Sequence, residues 1–132
     1  MRVLFSIKPH YADKILNGEK TFEFRRVIFK NNNVKKVIIY STRPIGKVVG
    51  EFEIDGILKD DPRKLWLSTR NFSGIDPFFF DQYFNGCTSG YAICIKNPIR
   101  YKEPVDLRTF FPSGKPPQSF QYLEPIPTIR DL

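Results

Sequence analysis

Hydrophobic and polar residues alternate along the chain in short runs that predict five or six strands and two or three short helices. The apolar run at 3–7 is typical of a buried strand. Pro9 is expected to lie in the first turn of a helix, where the backbone N–H group that proline lacks is not needed. Tyr11 and Ile15 mark the inner face of this helix, and Gly18 is expected to end it in a left-handed conformation.

A second strand is predicted from Thr21 to about Phe29. Alternation places Phe22 and Phe24 on one face of this strand, and Thr21, Glu23 and Arg25 on the other. The polar run at 30–33 is expected to form a hairpin loop into a β-branched strand at 34–41.

Residues 47–58 show the cleanest alternation and predict a further strand. One face carries Val48, Gly50, Phe52 and Ile54, and the other carries Glu51, Glu53 and Asp55. Gly50 inside a strand indicates a bulge, a barrel corner or the close approach of another backbone.

The second half of the chain predicts two more short helices and further strands. One helix begins at Asp60-Asp61-Pro62 and runs through Leu67, and the other begins at Asp76-Pro77 and ends at Gly86. The aromatic residues of this last helix are expected in the core, with a ligand-binding cage as the alternative; they are Phe78, Phe79, Phe80, Tyr83 and Phe84. A strand follows at 91–96, continued through 102 or followed there by a separate strand, and the proline-rich tail from Phe110 is expected to pack against the body.

The order of these elements argues against a parallel sheet built from strand–helix–strand units. It indicates a mainly β, α+β fold, a small β-barrel or strongly bent sheet of five to six mostly antiparallel strands with two to three short helices. The sequence shows no internal repeat and no boundary, so residues 1–132 are expected to form a single domain.

Charge is spread unevenly along this basic chain, whose net charge is +7 and whose pI is about 9.5. Residues 1–50 carry 11 Lys and Arg against 3 Asp and Glu, whereas the remainder carries 10 against 11. This concentration of positive charge suits a polyanionic partner. Net charge that serves only solubility is the alternative, and charge alone does not decide between them.

Membrane, secretion and metal-binding classes find little support in the sequence. No apolar run approaches the ~20 residues that cross a bilayer, and no basic leader precedes an apolar segment, so a cytoplasmic protein is expected. Cys87 and Cys94 are expected to be buried, reduced thiols. They form no Cys-x-x-Cys pair and His10 is the only histidine, so we expect neither a metal nor a cofactor.

Lys20, Glu23 and Arg25 fall within one strand length and form the candidate site. Lys20 offers a point charge for phosphate, and Arg25 offers a planar fork for phosphate or a base edge. Glu23 accepts a hydrogen bond from a base amino group or holds Arg25 in place. A partly buried Lys20 with a lowered pKa would act as a general base or nucleophile, with Glu23 as its acid–base partner. An ion pair on a strand beside a solvated lysine is the purely structural interpretation.

Several motifs of the chain occur in the order found in one known family. They are Ser6-Ile7-Lys8-Pro9, Tyr11-Ala12-x-x-Ile15, Gly18-x-Lys20-x-x-Glu23-x-Arg25, Tyr40-Ser41-Thr42, Val49-Gly50-Glu51-Phe52 and Pro117-Gln118-Ser119-Phe120. On these motifs the chain resembles the ASCH domain family, within the PUA-like superfamily of small β-barrels, over about residues 3–123. It is similar in particular to stand-alone archaeal and bacterial members described as predicted transcriptional regulators.

The resemblance implies RNA binding in a cleft beside the barrel, in settings tied to transcription or translation. The implied cleft is lined by Lys20, Glu23 and Arg25, with Ser6, Lys8, Ser41 and Gln118 as neighbours. A wider basic surface is expected from Lys35, Lys36, Arg43 and Lys47. Tyr40 and Phe120 are expected either to stack a base or to pack in the core or in a lid.

The resemblance also implies an enzymatic alternative. Some small bacterial ASCH proteins remove the acetyl group of 4-acetylcytidine with a lysine, a threonine three positions later and a glutamate, and other members are ribonucleases. Lys20 matches the lysine, but Glu23 occupies the threonine position and residues 71–75 contain no carboxylate. A protein-interaction module that uses the proline-rich tail is a third interpretation, and the oligomeric state and the preferred nucleic acid stay open.

Overall fold

The computed structural model describes residues 1–123. Its strands are β1 (Arg2–Ile7), β2 (Phe22–Arg25), β3 (Lys36–Ser41), β4 (Lys47–Asp60), β5 (Gly90–Val105) and β6 (Phe120–Leu123). Its α-helices are α1 (Pro9–Leu16), α2 (Pro62–Thr69) and α3 (Pro77–Tyr83). Short 3-10 turns lie at Arg70–Phe72 and Leu107–Thr109.

All six strands join one sheet in the order β2-β5-β4-β3-β1-β6. Strand β1 runs parallel to β3, and every other neighbouring pair is antiparallel. The sheet curls into a half-barrel whose edge strands are β2 and β6. The predicted α+β fold with mostly antiparallel strands is therefore confirmed.

The predicted hairpin between the second and third strands is wrong. Strand β2 ends at Arg25 and pairs with β5, so β2 and β3 lie on opposite sides of β4 and β5. The chain does not extend to Phe29 as a strand because Phe29 turns into the core, with its ring centroid 6.2 Å from that of Phe5.

Hydrophobic side chains fill both faces of the sheet. One cluster joins α1 to the sheet and includes Phe5, Ile15, Val37, Phe52 and Ile93. The opposite face carries Leu4, Ile38, Tyr40, Val48, Leu107 and Leu123. A third cluster of Phe24, Leu65, Phe80, Phe84 and Ala92 packs α2 and α3 against β2 and β5. Hydrophobic clusters thus lie on both faces of the sheet, whereas the last six residues of β4 are exposed.

Strand β4 changes face at a bulge next to Gly50. Its register against β5 shifts between Val48 and Gly50, and its register against β3 shifts at the same level. Val48 therefore packs with Leu4, whereas Phe52 packs in the cluster on the other face. The predicted bulge is confirmed, but the prediction that Val48 and Phe52 share a face is wrong because the extra residue inverts the alternation.

Gly50→Ala is expected to lower the free energy of unfolding by about 1–3 kcal/mol. A Cβ atom at this position would lie 2.5 Å from the carbonyl oxygen of Ile99 and 2.7 Å from Cδ2 of Leu16. The leucine has other rotamers, but the carbonyl belongs to the paired strand and has no such freedom. Urea unfolding measures the change, and an unchanged midpoint would show that β4 and β5 separate here at no cost.

The helix ends match their sequence signals. Pro9 occupies the first turn of α1, and Gly18, with φ +82°, follows the end of that helix. The Asp76 carboxylate accepts a 2.8 Å hydrogen bond from the N–H of Phe78 and begins α3. Phe80 and Phe84 are buried, but Phe78 and Phe79 are 62% and 54% exposed. The prediction that all five aromatic residues lie in the core is wrong because so short a helix buries only one face.

The second half of the chain confirms two predictions and corrects a third. Residues 98–102 continue the preceding strand within β5. The proline-rich tail packs back, since β6 pairs with β1, and its last residues, 124–132, lie outside the described part. Cys87 and Cys94 are free thiols, but both are partly exposed rather than buried.

Candidate functional site

A hollow of about 730 Å³ opens where the edge of β2 faces the end of β1. The start of α1, the exposed face of α3 and the segment before β6 complete its walls. Strand β2 and the residues just before it form the floor, since Lys20, Glu23, Phe24 and Arg25 all line the hollow. The volume lies within the usual range for small-molecule pockets.

Lys20 is the most deeply buried charged group of the hollow, with only 2% of its surface exposed. Its Nζ donates a 2.7 Å hydrogen bond to the carbonyl oxygen of Ser73 and lies 4.7 Å from the ring centroid of Phe24. The Tyr11 ring lies 5.5 Å away. Burial lowers the pKa of Lys20 to about 8, an effect that nearby Glu23 opposes. The ammonium group has two further N–H donors, and we find no ion pair for it among residues 1–123.

The turn at Gly74 shapes the space around the lysine. A Cβ atom on Gly74 would lie 2.5 Å from Cβ of Lys20 and 2.6 Å from its Cγ. The glycine also has φ +65°, a conformation that other residues rarely adopt. Backbone therefore packs directly on the lysine stem and holds the Ser73 carbonyl against the ammonium group.

Arg25 connects the two sides of the seam, which is the opening between the edge of β2 and the end of β1. Its Nη2 lies 2.9 Å from Oε2 of Glu23 and donates a 3.1 Å hydrogen bond to the carbonyl oxygen of Ser6 on β1. Its Nη1 donates a 3.2 Å hydrogen bond to Oγ of Ser119. The guanidinium carbon lies 4.2 Å from the Phe5 ring centroid. Arg25 thus ties β2 to β1 and to the segment before β6, and most of its donors are already used.

Three predicted neighbours line the hollow. Ser6 and Gln118 lie on its far wall, and Lys8 stands exposed at the beginning of α1. The hydroxyl of Ser6 donates a 2.6 Å hydrogen bond to the carbonyl oxygen of Pro117. The Ser6 oxygen can therefore still accept a hydrogen bond from a ligand. Phe120 also lines the hollow, with its ring 6.0 Å from Phe5.

The structure does not bring the other predicted residues to the hollow. Ser41 is 2% exposed and pairs with Ile7 at the end of β3, and Arg43 lies on the exposed turn beyond it. Tyr40 packs on the opposite face of the sheet, which excludes stacking on a ligand here. The expected basic surface is also interrupted, because Lys36 pairs with Glu51 at 2.7 Å and Lys47 with Asp106 at 3.8 Å.

Several lining residues escaped the sequence interpretation. The sequence places Tyr11 only on the inner face of α1 and predicts Phe79 and Tyr83 in the core, yet all three line the hollow. Arg26 is exposed at the rim, with its guanidinium carbon 4.7 Å from the Tyr83 ring. The i,i+4 spacing of Phe79 and Tyr83 was the available signal, since it places both on one face of α3.

The charges that line the hollow are mainly positive. Its cations are Lys8, Lys20, Arg25 and Arg26, and Glu23 is its one carboxylate among the described lining residues. Burial and the charges of Glu23 and Asp76 raise the pKa of the Tyr11 phenol, so this hydroxyl stays protonated at neutral pH. The arrangement favours an anionic ligand with hydrogen-bonding edges.

Within residues 1–123, no three His, Cys, Asp or Glu side chains stand close enough together to hold a metal ion. No helix in that range has the length and the apolar character needed to cross a membrane.

Comparison with known proteins gives consistent matches. The ASCH domain matches residues 5–105. A Zymomonas mobilis protein named ASCH domain-containing ribonuclease is 30% identical over 122 residues, which cover 91% of this chain and 82% of that protein. The large ribosomal subunit protein uL22 of Ureaplasma parvum is 32% identical over 123 residues, 92% of this chain but only 39% of that protein.

A solved structure repeats the fold. The crystal structure of ASCH from Zymomonas mobilis superposes with a TM-score of 0.86 at 27% identity, covering 93% of this chain and 87% of that chain. The family match spans most of the sheet described above, from β1 to the end of β5. The ASCH domain match over residues 5–105, the relative at 30% identity and the shared fold show that this chain belongs to the ASCH domain family.

Proposed function

We propose that this protein binds RNA and holds one nucleotide in the hollow at the seam between β1 and β2. The observation that carries the proposal is Lys20, a buried ammonium group that lines the hollow and has one carbonyl partner. Taking a charge out of water costs several kcal/mol unless a counter-charge compensates for it. A phosphate in the hollow would supply that counter-charge and use the two remaining N–H donors.

The other side chains divide the recognition between charge and base edges. Lys8 and Arg26 at the rim are free to contact phosphates along the strand. Glu23 is held by Arg25 through Oε2. In the proposed complex, the other carboxylate oxygen of Glu23 accepts a hydrogen bond from a base amino group. Ser6 and Gln118 provide further polar contacts on the opposite wall.

The relatives support RNA as the polymer. The relative that this chain covers over most of its length is named a ribonuclease, and that name refers to RNA. A role in the regulation of transcription or translation is the finer form of the same proposal, as expected from the resemblance to predicted regulators.

The site does not favour deacetylation of 4-acetylcytidine. The segment 71–75 does reach the lysine, but it presents the Ser73 carbonyl and no carboxylate. Asp76, the next residue, already caps α3. Glu23 stands where the deacetylating branch has its threonine, and one of its oxygens is paired with Arg25.

Lys20→Met is expected to weaken RNA binding ten- to hundredfold at pH 7, the usual range for losing a charge-assisted hydrogen bond. The measurement is fluorescence anisotropy with a labelled, random-sequence pool of single-stranded hexaribonucleotides at several salt concentrations. If Lys20 contacts one phosphate, the slope of log affinity against log salt falls by about 0.7 in the variant.

Lys102→Met is the matched control, since it removes the same charge from an exposed position of β5 outside the hollow. Equal losses of RNA affinity in the two variants would mean that only the net charge of the protein matters. Unchanged affinity in Lys20→Met would defeat the proposal. The recovered RNA is run on a gel after each titration. If wild-type protein shortens the RNA and Lys20→Met leaves it intact, the protein is a ribonuclease that depends on Lys20 and not a binding module.

A further inference from the structure

The exposed face of α3 carries aromatic side chains that the core does not use. Phe78 and Phe79 are 62% and 54% exposed, and their ring centroids lie 5.8 Å apart. Tyr83 lies one helical turn beyond Phe79 on the same face. We call Phe78, Phe79 and Tyr83 the aromatic ledge. Exposed apolar groups so close together on a small domain mark an interaction surface.

The aromatic ledge is continuous with the hollow. Phe79 and Tyr83 line the hollow directly, and Gln82 lines both the hollow and a shallower depression bounded by Phe78. Val27, 65% exposed, adds a further apolar group to the same wall. A ligand that fills the hollow and extends past α3 would therefore contact the ledge.

Charge around the ledge selects the kind of ligand. Arg26 lies over Tyr83, with its guanidinium carbon 4.7 Å from the ring centroid, and its backbone N–H donates a 3.2 Å hydrogen bond to the Tyr83 hydroxyl. The exposed guanidinium is thereby held at the rim, where it suits a phosphate or the face of a base. Asp81 lines the depression, and its negative charge would repel a phosphate. A phosphate backbone would therefore run past Arg26 and away from Asp81.

We propose that the aromatic ledge is a second subsite, in which the nucleobase next to the one in the hollow stacks on Phe79 while Arg26 contacts the intervening phosphate. The inference rests on the proposed function and names its ligand class, which is an RNA segment with at least two adjacent unpaired nucleotides. Stacking of this kind tolerates any base, because every base offers a π face.

Phe79→Ala is expected to weaken binding of the single-stranded hexaribonucleotide pool about tenfold, as the loss of one stacked base does. Leu67→Ala is the matched control, because Leu67 is also 54% exposed on a helix but lies outside the hollow. Phe79→Leu separates stacking from apolar contact, since it keeps an apolar side chain and removes the ring. We expect Phe79→Leu to lose nearly as much affinity as Phe79→Ala.

An abasic ribose-phosphate hexamer provides the second readout. It offers the same phosphates and no bases, so wild-type protein and Phe79→Ala should bind it equally well. If Phe79→Ala weakens binding of both oligomers alike, the substitution has disturbed the hollow and the stacking subsite is refuted. Circular dichroism and the urea midpoint establish that each variant is folded.

The outcomes separate this inference from the proposed function. Hexaribonucleotide affinity within twofold of wild type in Phe79→Ala, together with a large loss in Lys20→Met, would overturn the ledge and leave RNA binding in place. The ledge would then belong to a partner of another class. Unchanged affinity in both variants would overturn both proposals. A loss in Phe79→Ala for the base-bearing oligomer alone supports the second subsite.

Discussion

Arg25→Met is expected to lower the free energy of unfolding by about 3–5 kcal/mol, the usual cost of removing one partner of a buried ion pair. The side chains of Arg25 and Glu23 are only 9% and 8% exposed, so the glutamate would be left as an unpaired buried charge. The substitution also frees the Ser6 carbonyl and the Ser119 hydroxyl. These contacts bridge the seam that the sheet leaves open, so β2 should loosen from β1.

The double variant Arg25→Met with Glu23→Gln tests this explanation. Removing the unpaired charge should restore part of the lost stability, whereas additive losses would mean that the ion pair is not the cause. Urea unfolding of the four proteins of the cycle gives the coupling energy. If Arg25→Met lowers the free energy of unfolding by less than about 1 kcal/mol, Arg25 does not bridge the seam and its guanidinium is available to bind a ligand.

Local signals in the sequence predicted much of the framework of the site. Pro9 and Gly18 bound the first helix, and the spacing from Lys20 to Arg25 placed the charged groups together. These features depend on neighbours within a few residues, which is the range over which helix caps and strand alternation act.

The opposite wall of the hollow could not be predicted in the same way. The partner of Lys20 is the Ser73 carbonyl and that of Arg25 is the Ser6 carbonyl, and every residue carries such a group. The pairing of β2 with β5 was also missed, because the nearest turn signal, at 30–33, pointed to a hairpin. Burial of Phe29 outweighed that local signal.

Helix α3 gives a second example of what the sequence could not predict, which is where its aromatic side chains lie. Five aromatic residues within seven positions favour a core helix, and Phe80 and Phe84 do pack there. A helix has one buried face, however, so the remaining rings had to lie elsewhere. Their position beside the hollow depends on the packing of α3 against β2, which composition does not reveal.

Lys20→Met is expected to make the protein more stable at pH 7 while it weakens RNA binding. The pKa of Lys20 is lowered from 10.5 to about 8, chiefly by burial, so folding at pH 7 carries the cost of a buried charge. That cost is roughly 3 kcal/mol at most, and the lost hydrogen bond to Ser73 offsets part of it. We therefore expect a net gain of about 1–2 kcal/mol in the variant.

The pH dependence of stability gives the matching signature. Between pH 8 and 10.5 the folded state loses the Lys20 proton before the unfolded state does, so stability rises with pH. The gain between pH 7 and 9 is about 1 kcal/mol. The raised pKa values of Cys94, Tyr11 and Tyr101 act in the opposite direction at higher pH. The difference between wild type and Lys20→Met cancels those contributions and isolates the lysine.

RNA affinity should change in the opposite direction over the same range. If a phosphate binds the charged form of Lys20, affinity falls about tenfold from pH 7 to pH 9 as the free protein loses that proton. An oligomer of adenosine and cytidine suits the measurement, because its bases do not titrate in this interval. Lys20→Met should bind weakly at both pH values, with no such fall. Wild-type affinity that stays level while stability rises would mean that the ammonium group never meets the phosphate.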